Sequence, residues 1–179
     1  MLPRPAISVL FVCAGNHCCS PAALGIAKAL VADRDLRWLH VDAAGTAPDR
    51  RGEPPHPLTT AEGARRGYRI DHRSRPVHPD DFADFDLIVA MHQSDIDDLR
   101  RLGGSTDQRI GPYGVLEPQQ AQLLRRWDPY GMPGDEDLSD PCGRGPAAYA
   151  AMFDVLERSI PPLLDHLAWL TEDIIRESP

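Results

Sequence analysis

A cysteine, a serine and a glycine-containing loop lie close together near the amino terminus, in an order suited to nucleophilic chemistry on an anion. Cys13 ends a run of apolar, β-favouring residues, and a short loop with Gly15 and Asn16 leads from it to Ser20-Pro21. We predict Ser20 as the N-cap of a helix and Pro21 as its first residue. Such a strand–loop–helix junction is an anion site, because unpaired backbone amides and the positive helix end converge there. The same field would hold Cys13 as the reactive thiolate.

The elements around this loop predict a doubly wound α/β fold with a parallel sheet. Residues 7–12 are almost continuously apolar, as in a strand buried on both faces. Residues 21–33 show helical spacing of apolar side chains, and a second strand is predicted at 38–43, so the three elements form a right-handed βαβ unit. A third strand is predicted at 86–91. In this fold class the site lies at the carboxyl edge of the strands.

Further helices are predicted where proline or glycine marks an end, at residues 57–64, 94–102 and 146–159. Pro161-Pro162 is predicted to kink the last helix or to restart it at 163–175. Residues 109–140 are rich in proline and glycine and show no clear elements, which is typical of a functional or mobile loop.

The charge composition of the chain limits the kinds of macromolecule that it is expected to bind. The net charge of −8 over 179 residues argues against a nucleic-acid or anionic-membrane partner. We find no signal-peptide pattern and no apolar run of transmembrane length, so we expect a cytoplasmic protein with reduced thiols. Three of the four cysteines lie within seven residues, and Cys18 is adjacent to Cys19, which argues against a disulfide framework.

The stretch from Cys13 to Pro21 resembles the signature loop of the low-molecular-weight protein-tyrosine-phosphatase family, which reads Cys, five residues, Arg, Ser, Pro. Cys19 stands where that family has Arg. Several other stretches resemble the family in the same order: Ala44-Gly45-Thr46, Gly52-Glu53-Pro54, His72-Arg73-Ser74-Arg75, residues 85–91 and Asp140-Pro141. The resemblance implies one three-layer α/β domain over residues 1–179. It would have a four-stranded parallel sheet, helices on both faces and a longer loop at about 111–138.

The resemblance also implies roles for individual residues. Cys13 would be the nucleophile, Asp140 the general acid and later base, and Ser20 a hydrogen-bond donor to the thiolate. Asp128-Pro129 is a rival pair, but it lies too far ahead of the last helix. The loop residues would bind the phosphoryl group through their amides, with Asn16 adopting a positive φ; they are Ala14, Gly15, Asn16, His17, Cys18 and Cys19.

The function implied is hydrolysis of a phosphomonoester of the phosphotyrosine type, on a phosphorylated protein or small molecule. An Arg in the loop would clamp two phosphoryl oxygens, so Cys19 should cost on the order of 3–5 kcal/mol of barrier. Another departure is Met91-His92-Gln93-Ser94-Asp95, where the family has Asp after the Met. We predict slow or altered turnover by a monomer or weak dimer.

Two alternatives remain open: a phosphate-binding pseudophosphatase, and a repurposed enzyme with other cysteine chemistry on a small molecule. The second includes thiol redox, with Cys13 pairing to Cys18 or Cys19. A soft-metal site would use the four cysteines and His17, but their spacing fits no finger pattern. We therefore predict no metal and no cofactor.

Overall fold

A computed structural model describes residues 7–103 and 121–177 of the chain. Its four-stranded sheet is parallel throughout, in the order β2-β1-β3-β4. The strands are β1 (Ile7–Cys13), β2 (Leu39–Gly45), β3 (Leu87–Ala90) and β4 (Gln122–Leu123). The helices are α1 (Cys19–Asp33), α2 (Pro57–Arg65), α3 (Asp81–Asp84), α4 (Gln93–Gly103) and α5 (Pro146–Glu177), and a 3-10 turn spans Leu124–Trp127. The predicted fold class, a parallel sheet with helices on both faces, is confirmed.

Strand β1 lies at the centre because its side chains are apolar on both faces. Val9 and Phe11 pack into the larger core, which α1 and α5 cover. Leu10 and Val12 pack into a smaller core on the opposite face, which α4 covers. Central placement puts the end of β1, and therefore Cys13, between the ends of β2 and β3.

The longest helix contradicts part of one prediction. Helix α5 runs without a break through Pro161-Pro162, so the predicted restart at residue 163 does not occur. The buried apolar face on both sides of the prolines explains its continuity, since Leu156, Ile160 and Leu163 are fully buried in the larger core. Tertiary packing therefore outweighs the two hydrogen bonds that the prolines cannot donate.

The fourth strand comes from the stretch that the sequence left without clear elements. It pairs with β3 through only two residues, Gln122 and Leu123. The predicted longer loop at about 111–138 lies partly outside the described residues. Within residues 7–103 and 121–177, no helix is long and apolar enough to cross a membrane.

Candidate active site

Cys13, the last residue of β1, lines a cavity of about 220 Å³. The predicted loop residues Ala14, Gly15, His17, Cys18 and Cys19 contribute to its wall, together with Asp140 and Cys142. Three further wall residues, His92, Ser94 and Asp95, come from the start of α4. All four cysteines thus line one cavity. Asp140, the predicted general acid, and Cys13, the predicted nucleophile, also line it together.

Helix α1 begins two residues earlier than a Ser20 cap would allow. Its first residue is Cys19, and Cys18 is the N-cap, which makes no side-chain hydrogen bond to the first turn. The prediction of Ser20 as N-cap is therefore wrong. Ser20 lies fully buried in the first turn, where its hydroxyl meets the Cys13 sulfur at 3.0 Å instead of the helix amides.

A chain of hydrogen bonds fixes which way the Ser20 hydroxyl points. Ser20 Oγ accepts from Asn16 Nδ2 at 2.9 Å, which leaves the hydroxyl hydrogen free to donate to Cys13 Sγ. The orientation of the Asn16 amide is set in turn, because its Oδ1 accepts from the backbone N–H of Arg75 at 2.9 Å. His72 Nε2 lies 2.8 Å from the same oxygen, so that nitrogen carries the hydrogen. These contacts orient Ser20 towards the sulfur.

The backbone of this loop is held in a conformation that few residues accept. Asn16 has φ 48°, which confirms the predicted positive value. Gly45, at the end of β2, lies against the loop, and a Cβ there would come 2.7 Å from the carbonyl oxygen of Ala14. The Ser74 hydroxyl donates to the carbonyl of Gly15 at 3.3 Å. Neighbouring strands and loops thus determine the loop geometry.

The surroundings of Cys13 act on its pKa in both directions, and the effect of burial exceeds that of the helix end. Burial, reinforced by the negative charge of Asp95, raises the pKa of the Cys13 thiol. The Ser20 hydroxyl and the amides of Ser20 and Asn16 lower it, but by less. The physical reason is that a fully buried sulfur anion loses its hydration, and three hydrogen bonds replace only part of it.

Asp140 sits on an exposed turn ahead of α5. Its Oδ1 accepts from the backbone N–H of Cys142 at 2.9 Å. The rival Asp128 lies outside the cavity and is buried, with its carboxylate in a two-bonded ion pair to Arg158 at 2.7 and 3.0 Å. Asp128 is buried and held in an ion pair, as expected of a residue that stabilises the fold. Asp140 is exposed to solvent and lines the cavity.

The charge lining the cavity comes from acids and imidazoles. Among the described residues of its wall there is no Arg or Lys; the ionisable side chains besides the cysteines are Asp95, Asp140, His17 and His92. His92 Nδ1 lies 3.5 Å from the buried Asp95 carboxylate, which also accepts from the His92 backbone N–H. This contact raises the pKa of His92, followed in effect by the charges of Asp137 and Asp140. Of the ionisable side chains in the described wall, His92 is the one whose pKa is shifted towards the cationic form.

His17 lies deeper than the exposed loop crest that its position suggested. Its ring packs edge-on against His56, with centroids 5.5 Å apart, and neither ring nitrogen has a hydrogen-bond partner within the described part of the chain. Burial, with the charge of Arg50, lowers the pKa of His17, which favours the neutral ring. No group of three metal-ligating side chains is arranged for a metal ion within residues 7–103 and 121–177.

Two interpretations of the sequence need correction. The sequence favours solvated surface for His72 and for the arginine run at 65–75. Arg65, Arg69 and Arg73 are exposed, whereas His72 and the Arg75 amide hold Asn16, and Arg75 also pairs with Asp42 and Asp81. His92 and Asp95 were noted only as departures from a family pattern. The Asp95 side chain reaches back to the His92 amide as in a capping box, which is the sequence signal that could have placed both residues at the cavity.

A buried cysteine at the end of the central parallel strand, followed by a loop that leads onto a helix, defines this as an α/β protein with a cysteine-lined pocket at the carboxyl edge of its sheet. A family model for low molecular weight phosphotyrosine protein phosphatase matches residues 8–173. The chain belongs to that family.

Individual relatives align with this chain over most of their length. A low molecular weight protein-tyrosine-phosphatase of Streptomyces coelicolor is 34% identical over 157 residues, which cover 87% of this chain and 90% of the relative. A human low molecular weight phosphotyrosine protein phosphatase is 35% identical over 135 residues, 73% of this chain and 84% of the relative. The crystal structure of a protein tyrosine phosphatase from Entamoeba histolytica superposes with a TM-score of 0.78 at 27% identity, covering 91% of this chain and 97% of that one.

Proposed function

We propose that the chain hydrolyses phosphomonoesters of the phosphotyrosine type through a phosphocysteine formed on Cys13. The observation that carries the proposal is the cavity itself, where the Cys13 sulfur lies 3.0 Å from the Ser20 hydroxyl and Asp140 is part of the wall. The relatives, which are named as phosphatases of this type, support the substrate class.

The proposed reaction has two steps. The Cys13 thiolate attacks phosphorus while protonated Asp140 gives its proton to the leaving oxygen, which yields an alcohol or phenol and a phosphocysteine. The Asp140 carboxylate then takes a proton from a water that attacks the same phosphorus, and Cys13 returns as the thiolate with release of phosphate. Ser20 supports both steps, because its hydroxyl stabilises the sulfur when it is an anion.

We further propose that turnover is slow, since Cys19 stands where the family pattern has an arginine. A thiol cannot form two charge-assisted bonds to the equatorial phosphoryl oxygens. Burial raises the pKa of Cys19 well above its ordinary value, so the residue brings no charge at neutral pH. Arg73 and Arg144 are the arginines nearest in sequence to the His72 and Asp140 segments, and neither lines the cavity: Arg73 is exposed, and Arg144 Nη1 donates to Ser139 at 2.9 Å.

His92 partly replaces the missing cation. Its ring and the loop amides would meet the phosphoryl oxygens, while Asp95 keeps the ring protonated. A single imidazolium beside Asp95 and Asp140 gives less positive potential than a guanidinium fork, which is consistent with a raised Cys13 pKa and weak substrate binding.

Steady-state hydrolysis of an aryl phosphate tests the proposal, with the protein, its Cys13→Ser variant and its Asp140→Asn variant in parallel. We expect slow turnover that Cys13→Ser abolishes and Asp140→Asn reduces by roughly 10²-fold or more. Phosphate binding without turnover would instead favour a pseudophosphatase, for which the absence of Arg and Lys from the described cavity wall is the supporting observation. Turnover that survives Cys13→Ser would refute the proposal.

A further inference from the structure

The sulfurs of Cys18 and Cys142 lie side by side in the cavity wall, 2.9 Å apart. Both residues are free cysteines. A disulfide bond is about 2.05 Å long, so the two sulfurs need to approach by less than about 1 Å to form one. Cys18 is the N-cap of α1, whereas Cys142 lies 124 residues later on the turn that carries Asp140. A bond between them would join two separate elements of the active site.

The contacts of each sulfur favour this pairing over one that uses the nucleophile. The Cys13 sulfur is engaged by Ser20 at 3.0 Å. The Cys18 sulfur contacts the Cys142 sulfur and, at 3.6 Å, the Tyr149 hydroxyl. Cys18 therefore already faces the partner on the Asp140 turn.

The two thiols also differ in their exposure to solvent, which determines the one that reacts first with an oxidant. Cys142 is exposed, whereas Cys18 is buried. An oxidant arriving from solvent thus meets Cys142 first, and Cys18 lies behind it as the resolving thiol. Burial raises the pKa of Cys142, followed in effect by its contact with Cys18 and the charge of Asp140, so the first step should be slow at neutral pH and faster in alkali.

We propose that Cys18 and Cys142 form a redox-active dithiol site that a low-molecular-weight disulfide oxidises to an intramolecular disulfide. In the first step the Cys142 thiolate attacks one sulfur of the small disulfide and expels one small thiolate. Cys18 then loses its proton and attacks the Cys142 sulfur, which expels the second small thiolate. The two protein thiols lose two electrons, and the small disulfide leaves as two thiols. Cys13 takes no part and stays reduced.

The bond has a consequence for catalysis, and this part of the inference rests on the proposed function. The Cys142 amide donates to Asp140 at 2.9 Å, so the two residues share one turn, and a bond from Cys142 to Cys18 would fix that turn against α1. The Asp140 carboxyl group could then no longer shift to follow the leaving group of a bound substrate. The disulfide form should therefore keep its Cys13 thiol but lose general-acid catalysis, lowering kcat by about 10²-fold or more.

The primary test is chemical and does not depend on phosphatase activity. The full-length protein is equilibrated with mixtures of reduced and oxidised glutathione, remaining thiols are alkylated, and tryptic peptides are mapped by mass spectrometry. We expect peptide 127–144 to be cross-linked to the amino-terminal peptide through Cys18, with Cys13 and Cys19 alkylated. Fragmentation is needed to assign the bond, because three cysteines share the amino-terminal peptide.

Two variants, each with one cysteine replaced by serine, provide the controls. Cys142→Ser should abolish the cross-link, whereas Cys19→Ser should leave it in place. A bond from Cys18 to Cys13, or glutathione retained on Cys142 with no cross-link at any redox ratio, would overturn the proposal. If the cross-link forms but the reduced protein does not turn over aryl phosphate, the proposed function fails while the dithiol site stands.

Discussion

Replacing Ser20 by alanine should make Cys13 a much weaker nucleophile at neutral pH. Ser20 Oγ accepts from Asn16 Nδ2 at 2.9 Å, which leaves its hydrogen free to stabilise the Cys13 sulfur 3.0 Å away when that sulfur is an anion. Both side chains are buried, and water cannot easily replace the lost donor. The substitution should therefore raise the already elevated pKa of Cys13 further.

The magnitude follows from the kind of hydrogen bond. A bond to a charged group contributes about 1.5–3 kcal/mol, and each ~1.4 kcal/mol is a factor of ten in an equilibrium. The thiolate fraction of Cys13 near neutral pH should thus fall by about 10–100-fold. The rate of alkylation at this residue should fall by the same factor, since only the thiolate reacts.

The assay is the pH dependence of iodoacetamide alkylation, with Cys13 resolved from its neighbours by peptide fragmentation and Cys13→Ser as the blank. Ser94→Ala is the matched control, because Ser94 also lines the cavity but is exposed. It should leave the profile unchanged. If Ser20→Ala and the unaltered protein gave superimposable profiles, Ser20 would not be the donor to Cys13, and the hydrogen bonds that hold Ser20 would not affect the pKa of Cys13.

Three further perturbations test other parts of the site. Cys19→Arg should raise the rate of aryl phosphate hydrolysis by about 10²–10⁴-fold, and an unchanged rate would mean that a guanidinium was not the missing part. His92 has a raised pKa, so its positive charge is present below its ordinary value of 6.5 and is lost as pH rises through the higher folded value. In a Cys13→Ser background, sulfate affinity should fall by about 10–100-fold over that rise, and His92→Gln should remove the pH dependence. Gly45→Ala should lower the free energy of unfolding in urea by about 1–3 kcal/mol, because its Cβ would meet backbone at 2.7 Å, whereas Gly145→Ala, with open space around it, should not.

The sequence carried enough local information to predict the centre of the fold. The uninterrupted apolar run of β1 requires burial on both faces, and such a strand must lie inside a parallel sheet. Strand β4 could not be found in this way, because two residues carry no periodicity and gain their pairing only from β3. Pro161 illustrates the opposite limit, since the local rule was clear but the packing of α5 outweighed it.

The sequence pointed to the loop of the candidate site but not to its contacts. The strand–loop–helix order around Cys13 indicated the loop, and Asp140 was implied by the family resemblance of Asp140-Pro141. The donor role of Ser20 was implied only by resemblance, because a serine before proline also reads as a helix cap. The closeness of Cys18 to Cys142 depends on how a turn 124 residues away folds over α1, which no local pattern encodes.

The central claim is that Cys13 becomes covalently phosphorylated, and mass spectrometry of the intact site tests it most directly. The Asp140→Asn variant is mixed with an aryl phosphate that has a good leaving group, so that formation needs little acid catalysis while hydrolysis lacks its base. Samples are quenched rapidly under denaturing conditions and digested. We predict one added phosphoryl group on Cys13, absent from the Cys13→Ser, Asp140→Asn double variant. Release of the aryl product with Cys13 unmodified, or a phosphoryl group on another residue, would contradict this account.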